Sequence, residues 1–288
     1  MADGTLPVGT QTSTTLAEVI PELWSGEALN DFYRANLVTA NFFTDYSDAF
    51  KNGGDILHVP VLSEMTATSK TIATAVTLNE DGISASITLT VDQWYEVSFM
   101  IEDQEAVQIL SSYMLQEKYM QNAAYTAGAA LEDAIIALFD NFSHTVGTSS
   151  NGMLDSNIRS AILYLDAANA PSENRAFFVS PKAMWTDIMA IDKFTLVTNQ
   201  GGNDPVLKGF TGYLYGIPVF VTSRIGTTDG SAQNCLAHKD AIIHARSIMR
   251  TQANYMPEYL ATLVTADILY GVIENRDTSG VWIKTSAT

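Results

Sequence analysis

Residues 103–142 read DQEAVQILSSYMLQEKYMQNAAYTAGAALEDAIIALFDNF, a run from Asp103 to Phe142 with no proline and with Gly128 as its only glycine. Asp103 is a suitable helix cap, and Glu105 sits well near the positive end of a helix dipole. Apolar residues then recur three and four apart, at Val107, Leu110 and Met114 and again at Leu131, Ile135, Leu138 and Phe142. If the whole run is helical it spans roughly 60 Å, at about 1.5 Å per residue. A compact globule of this chain length is only about 50 Å across. The helix is too long for a sphere. An extended shape of that kind suits a building block better than a lone soluble enzyme.

The stretches on either side reinforce that reading. Upstream, Gly53-Gly54 ends a helical pattern and Asp55-Ile56-Leu57-His58-Val59-Pro60-Val61-Leu62 reads as a strand, kept to an edge or an end by its proline. Ser63–Thr90 is crowded with Thr and Ser and turns at Asn79-Glu80-Asp81-Gly82. Alternation follows at Ile87, Leu89 and Val91, and resumes at Tyr95, Val97, Phe99 and Ile101. The segment therefore reads as a long two-stranded arm with too little apolar surface to fold alone. Before it, Leu16, Val19, Ile20, Leu23 and Trp24 line a short helix interrupted by Pro21, and a second helix starts near Glu27 and carries Phe32. The aromatic run Phe42, Phe43, Tyr46 and Phe50 completes an N-terminal arm. These rings pack either on the chain's own body or on a neighbouring subunit.

Downstream, Gly147-Thr148-Ser149-Ser150-Asn151-Gly152 marks a loop and a domain boundary. A mixed region follows. It comprises a helix from Asp155 or Ser156 with Ile158, Ile162, Leu163 and Leu165, a strand from Arg175 to Val179, and a helix started by Ser180-Pro181. Met184, Trp185, Ile188 and Met189 are expected to form the buried face of that last helix. Asn199–Asp204 reads as a glycine-rich loop, and Tyr213–Val221 as a strand pair with a glycine corner. Glu258–Glu274 and Val281–Lys284 return to strand patterning.

Composition narrows the class. The chain has 288 residues, 47% of them apolar, and a formal charge of -17 from 15 basic and 32 acidic side chains. Such an acidic balance argues against a general nucleic-acid-binding surface and against affinity for anionic membranes. Its one cysteine, Cys235, excludes an intramolecular disulfide and reads as a small buried apolar residue. Met1–Thr15 carries no Lys or Arg and no apolar run, so it reads as a flexible tail and not as a targeting peptide. No stretch is apolar enough over about 18 residues to suggest a membrane helix.

Catalytic patterns are missing as well. The sequence contains no GxxxxGK[ST], no GxGxxG after a strand and no GxSxG. His238 and His244 are not on one helical face, and His58 and His144 have no partner at ligand spacing. Glu80-Asp81 and Glu132-Asp133 read as solvated pairs. No catalytic residue, cofactor or metal is expected.

The order of parts resembles the major capsid proteins of tailed bacteriophages, with the fold named after phage Hong Kong 97. Local stretches are similar to the coat proteins of short-tailed phages: Gly26-Glu27-Ala28-Leu29-Asn30-Asp31-Phe32, the Gly53-Gly54 strand start, Ile101-Glu102-Asp103 and Gly216-Ile217-Pro218-Val219. The resemblance implies an α+β fold. Its parts would be an N-terminal arm at 1–50, an E-loop β-hairpin at 51–101, and a P-domain spine helix at 102–153. An A-domain would follow at 154–245, with P-domain strands at 246–288. It further implies assembly into hexamers and pentamers of a virion shell around double-stranded DNA, made in the host cytoplasm, with a scaffolding protein and a portal as partners and expansion on DNA packaging. DNA would be enclosed without sequence-specific binding. Subunit contacts would fall on Trp24, Phe32, Phe42, Phe43 and Tyr46 of the arm, on Gly53 and Gly54, and on Ile72, Val76 and Ile87 of the hairpin. Competing readings are an encapsulin-type nanocompartment, a surface or tail-fibre protein, and an α/β enzyme.

Overall fold

A computed structural model describes residues 39–51, 54–62, 67–76, 83–103, 115–191 and 212–287. The long helix α2 spans Leu115–Ile136, with Asp103 in helical geometry upstream and residues 104–114 outside the described set. Its apolar pattern continues to Phe142, but the helix does not. Beyond Ile136 the backbone tightens into three-residue turns, in which Leu138 N–H donates to Ile135 O and Phe139 N–H to Ile136 O. That tightening brings Phe139 and Phe142 both into the interior, where they are fully buried.

The described strands form three sheets. The first has the order β1-β11-β12-β4, with β1 at Thr44–Asp45, β4 at Gln93–Glu102, β11 at Ile242–Met256 and β12 at Ala261–Glu274. β1 lies parallel to β11, and the other pairs are antiparallel. Alternation along β12 sends Ile268, Tyr270 and Val272 towards α2, and Leu269 and Ile273 to the opposite face. Both faces are thus used.

The second sheet runs β5-β13-β10-β6-β8-β7, with β9 added on β10. Its strands are β5 Thr145–Gly147, β6 Arg175–Val179, β7 Tyr213–Leu214, β8 Ile217–Val221, β9 Thr227–Thr228, β10 Ser231–His238 and β13 Gly280–Ser286. Every residue of β6 and of β10 is buried, because these central strands are covered on both sides. Phe177, Val179, Leu236, Val281 and Ile283 face helix α3, Asp155–Ala167, in one core. Ala176, Phe178, Cys235 and Ala237 point the other way, into a core shared with α2 and the first sheet. Phe178 is the hub of that second core, with Phe42, Phe43, Phe139 and Phe220 each 5.3 to 5.6 Å from its ring. Face-to-edge and offset ring pairs of this kind add stability beyond the area they bury.

The third sheet is the arm, β2 at Ile56–Leu62 and β3 at Ile83–Thr90, paired antiparallel from Ile56↔Thr90 to Val61↔Ala85, with a register shift before Leu62↔Ile83. The alternation read as a second half of the arm belongs elsewhere. β4 leaves the arm after Val91 and pairs along its whole length with β12. Tyr95 stacks on Tyr270 at 5.8 Å, and that aromatic contact fixes β4 over the spine side of the sheet.

Two smaller expectations are corrected. Trp185 is 57% exposed, because Ala183–Asp187 forms a wider π-helical turn that directs Met184 and Ile188 inward and Trp185 out. The helix α3 begins after Leu154 without a side-chain cap, so neither Asp155 nor Ser156 caps it. Asp155 instead accepts from Arg159 one turn on, at 3.0 Å. The loop at Asn199–Asp204 lies outside the described residues.

Candidate subunit interface

The arm is rooted on the body by a close backbone crossing. Val91 N–H donates to Asp55 O at 2.8 Å, closing the arm's base. A Cβ on Gly271 would lie 2.0 Å from Thr90 O, so β3 meets β12 where only glycine fits. Gly54, at φ +121, turns the chain into β2 in a backbone region that other residues avoid. Leu57, Val59, Ile87 and Leu89 then form one apolar face, packed at its root on Phe50, Ile243 and Ala245.

Beyond that root the arm's surface is open. Ile72 is 95% exposed and Val76 68%. Isolated exposed apolar residues are ordinary on protein surfaces, and these two fall in the described part of the β2–β3 connection. His58 Nδ1 lies 3.1 Å from the Thr88 hydroxyl on the polar face.

The remaining expected contact residues divide. Trp24, Phe32 and Gly53 lie outside the described residues. Phe43 is 2% exposed and belongs to the chain's own core, and Phe42 packs against the same cluster. Of the two packings left open by the sequence, Phe43 takes the one on the chain's own body, and Phe42 packs beside it, because Phe178 and Phe139 offer rings within stacking distance. Tyr46 and Ile87 are half-buried against the Phe50 cluster of the same chain. Among the described members of this set, Gly54, Ile72 and Val76 are exposed.

Other exposed apolar side chains escaped the sequence reading. Tyr255, Tyr259 and Leu260 gather at the β11–β12 hairpin tip, with Met100 on adjacent β4. Leu260 has φ +48, a conformation that a branched side chain adopts only at some cost. Leu163, Trp185 and Tyr213 are exposed around the second sheet. Tyr255 is the penultimate residue of β11, and Tyr259 and Leu260 lie in the turn before β12.

Electrostatic contacts hold the parts together. The Arg224 guanidinium forks onto both oxygens of Asp133, linking the β8–β9 turn to α2. Buried Arg175 reaches Asp166 at 2.7 Å and the carbonyls of Ala170 and Pro171. Burial, reinforced by Tyr95, pushes the Tyr270 hydroxyl up to about 12, so it stays a donor, to Ala130 O at 3.1 Å. Among the described residues no three His, Cys, Asp or Glu side chains are grouped to hold a metal. None of the described helices is long and apolar enough to cross a membrane.

No protein-family model and no curated protein matches this chain. Solved structures do. A chain of Mycobacterium phage Che8 superimposes with a TM-score of 0.77 at 22% identity, covering 92% of this chain and 96% of that one. The capsid of the cyanophage P-SCSP1u gives a TM-score of 0.77 at 13% identity, covering 98% and 97%. The mature capsid of bacteriophage PhiM1 gives 0.73 at 13% identity, covering 99% and 98%. With its arm, long helix and paired sheets matched from end to end, this chain has the Hong Kong 97-type fold of tailed-phage capsid proteins.

Proposed function

We propose that this chain is the major capsid protein of a tailed bacteriophage, building an icosahedral shell of hexamers and pentamers around double-stranded DNA. One observation carries the reading: the similarity to phage capsid chains covers 98% of this chain and 97% of its cyanophage counterpart. The likeness therefore includes the projecting arm and is not confined to a common core. An arm of two strands is marginal by itself, and its apolar tip at Ile72 and Val76 suits a neighbouring subunit. The formal charge of -17 supports a container for DNA, since an acidic wall repels packed phosphates and leaves the genome free to exit. A scaffolding protein and a portal are the partners such a shell needs.

The test is to express the chain alone and with a candidate scaffolding protein, and to image the products by negative-stain electron microscopy. Closed shells of tens of nanometres with nuclease-protected DNA in the phage-derived particles support the reading. Shells filled with enzyme would move the assignment to an encapsulin-type compartment. Compact monomers or dimers under both conditions overturn it.

A further inference from the structure

Asn151 and Gly152 lie in the loop between β5 and α3, where Asn151 N–H closes a turn onto Thr148 O at 3.3 Å. Among the described residues Asn151 is the one asparagine that glycine follows. The amide carbon of an asparagine side chain is open to attack by the backbone nitrogen of the next residue, which closes a cyclic imide. A side chain on that next residue crowds the ring, and glycine has none.

The neighbouring helical turn favours glycine at that place. A Cβ on Gly152 would stand 2.6 Å from the carboxyl carbon and Oδ1 of Asp187, so a larger residue would have to displace that carboxylate. Met153 N–H donates to Asp187 Oδ2 at 2.8 Å, and that bond opposes the displacement. Packing against Asp187 thus selects the successor that leaves Asn151 most open to ring closure.

Hydrogen bonds sort the backbone nitrogens of this loop. Those of Asn151 and Met153 are engaged, while the Gly152 N–H between them donates to no group among the described residues. No hydrogen bond among the described residues restrains the Asn151 side-chain amide either. Asn151 is exposed, so water and hydroxide reach it. Asn234 is the contrast. It is fully buried, its Oδ1 accepts from Ser180 N–H at 2.7 Å, and its Nδ2 donates to Thr285 Oγ1 at 2.7 Å.

We propose that Asn151-Gly152 is a self-modification site, at which the asparagine converts through a cyclic imide to isoaspartate and aspartate. Hydroxide takes the Gly152 amide proton, and the nitrogen's electron pair forms a bond to Asn151 Cγ. The Cγ–Nδ2 bond breaks, and ammonia leaves with a proton from water, which restores the hydroxide. A water molecule then opens the imide. Attack at Cγ gives aspartate. Attack at the former backbone carbonyl carbon gives isoaspartate, whose chain runs through the side chain and is one carbon longer. That same carbonyl accepts Ser286 N–H at 2.8 Å, so the product remakes the group on which the end of β13 rests. Each conversion adds a negative charge to a chain already at -17. This goes beyond the capsid reading and holds for the single chain whether or not it builds a shell.

The test holds the full, unassembled chain in mildly alkaline buffer, folded and in urea, and follows it by peptide mapping and mass spectrometry. The folded chain should gain about 1 Da at residue 151, with part of the product labelled by an isoaspartyl methyltransferase. Asn234 should react only when the fold opens, so Asn151 should convert at least about tenfold faster in the folded chain. Asn151→Gln should show no gain at that position, because the larger ring it would have to form closes far more slowly. Asn52-Gly53, the chain's other Asn-Gly pair, lies outside the described residues and is followed in its own peptide. An unchanged residue 151 in the folded chain, under conditions that convert it in urea, overturns the proposal. So does equal conversion of Asn151 and Asn234 in the folded chain.

Discussion

The carboxylate of Glu132 accepts the backbone N–H of Thr39 at 3.1 Å, across 93 residues of sequence. Its second oxygen takes the N–H of Ala40 at 3.2 Å. A side chain of the long helix thus caps a short helix of the N-terminal segment, meeting two donors that would otherwise be buried unpaired. Glu132→Ala should cost about 2–4 kcal/mol, since each orphaned buried donor costs roughly 1–3. Glu132→Gln keeps one acceptor and should cost less than half as much. Urea unfolding of the unassembled chain measures both, and equal stability of Glu132→Ala and the native chain would remove the cap from the account.

Phe178 is the ring through which α2, β6, β8 and the N-terminal aromatics meet. Truncating it leaves a cavity at a site walled by four other rings, which cannot all close in. Phe178→Ala should lose about 3–5 kcal/mol. Phe42→Ala, at the half-buried margin of the cluster, should lose distinctly less. Denaturant midpoints of the two variants give the order, and the reverse order would displace Phe178 from the centre of the core.

Cys235 is buried on β10, and desolvation drives its thiol pKa well above the ordinary range. A thiol held neutral has no nucleophile to offer. Thiol reagents should leave the native chain unmodified at neutral pH and label it fully once unfolded. Rapid labelling under native conditions would place Cys235 nearer the surface.

The sequence carries the elements whose periodicity one partner dictates. β6 was readable because Arg175–Val179 is short, apolar and bounded. The β12 and β13 strands were readable because alternation persists between turn residues. The destination of β4 was not. Its alternation of Tyr95, Val97, Phe99 and Ile101 is the same whether it pairs with β3 or with β12, and only register against Ala261–Tyr270 decides. The end of α2 was hidden for a related reason: Leu138 and Phe142 keep the helical spacing while the backbone has already tightened. Of the candidate interface, Ile72 and Val76 stood out because a Thr/Ser-rich stretch gave them nothing to bury against. Phe43 could not be placed from its own segment, because its core partners Phe139 and Phe178 lie far along the chain.

Gly271 lets β3 cross β12 with Thr90 O where a side chain would stand. Gly271→Ala forces the arm's root away from the sheet, at about 1–3 kcal/mol for the overpacking. The arm should then become open to limited proteolysis between Ile56 and Thr90 while β12 stays paired with β11. Protection equal to that of the native chain would show that the crossing adjusts without cost.

Ile72 and Val76 separate folding from association. Both are exposed on the arm tip, so charges placed there meet water in the free subunit. Ile72→Asp with Val76→Asp should therefore change unfolding free energy by no more than about 0.5 kcal/mol, as surface substitutions do. In an assembled shell the same carboxylates would be pressed against a neighbour and desolvated without a partner, which costs several kcal/mol per buried charge. Every subunit of such a shell would contribute an arm, so the penalty would repeat around the particle. The double variant should stay soluble and folded yet yield no closed shells under conditions in which the native chain assembles. Sedimentation and electron microscopy give that yield, and circular dichroism with urea unfolding checks the fold. Native-like shells from the double variant would mean that the arm tip does not bear on a neighbour, and attention would pass to the Tyr255, Tyr259 and Leu260 hairpin.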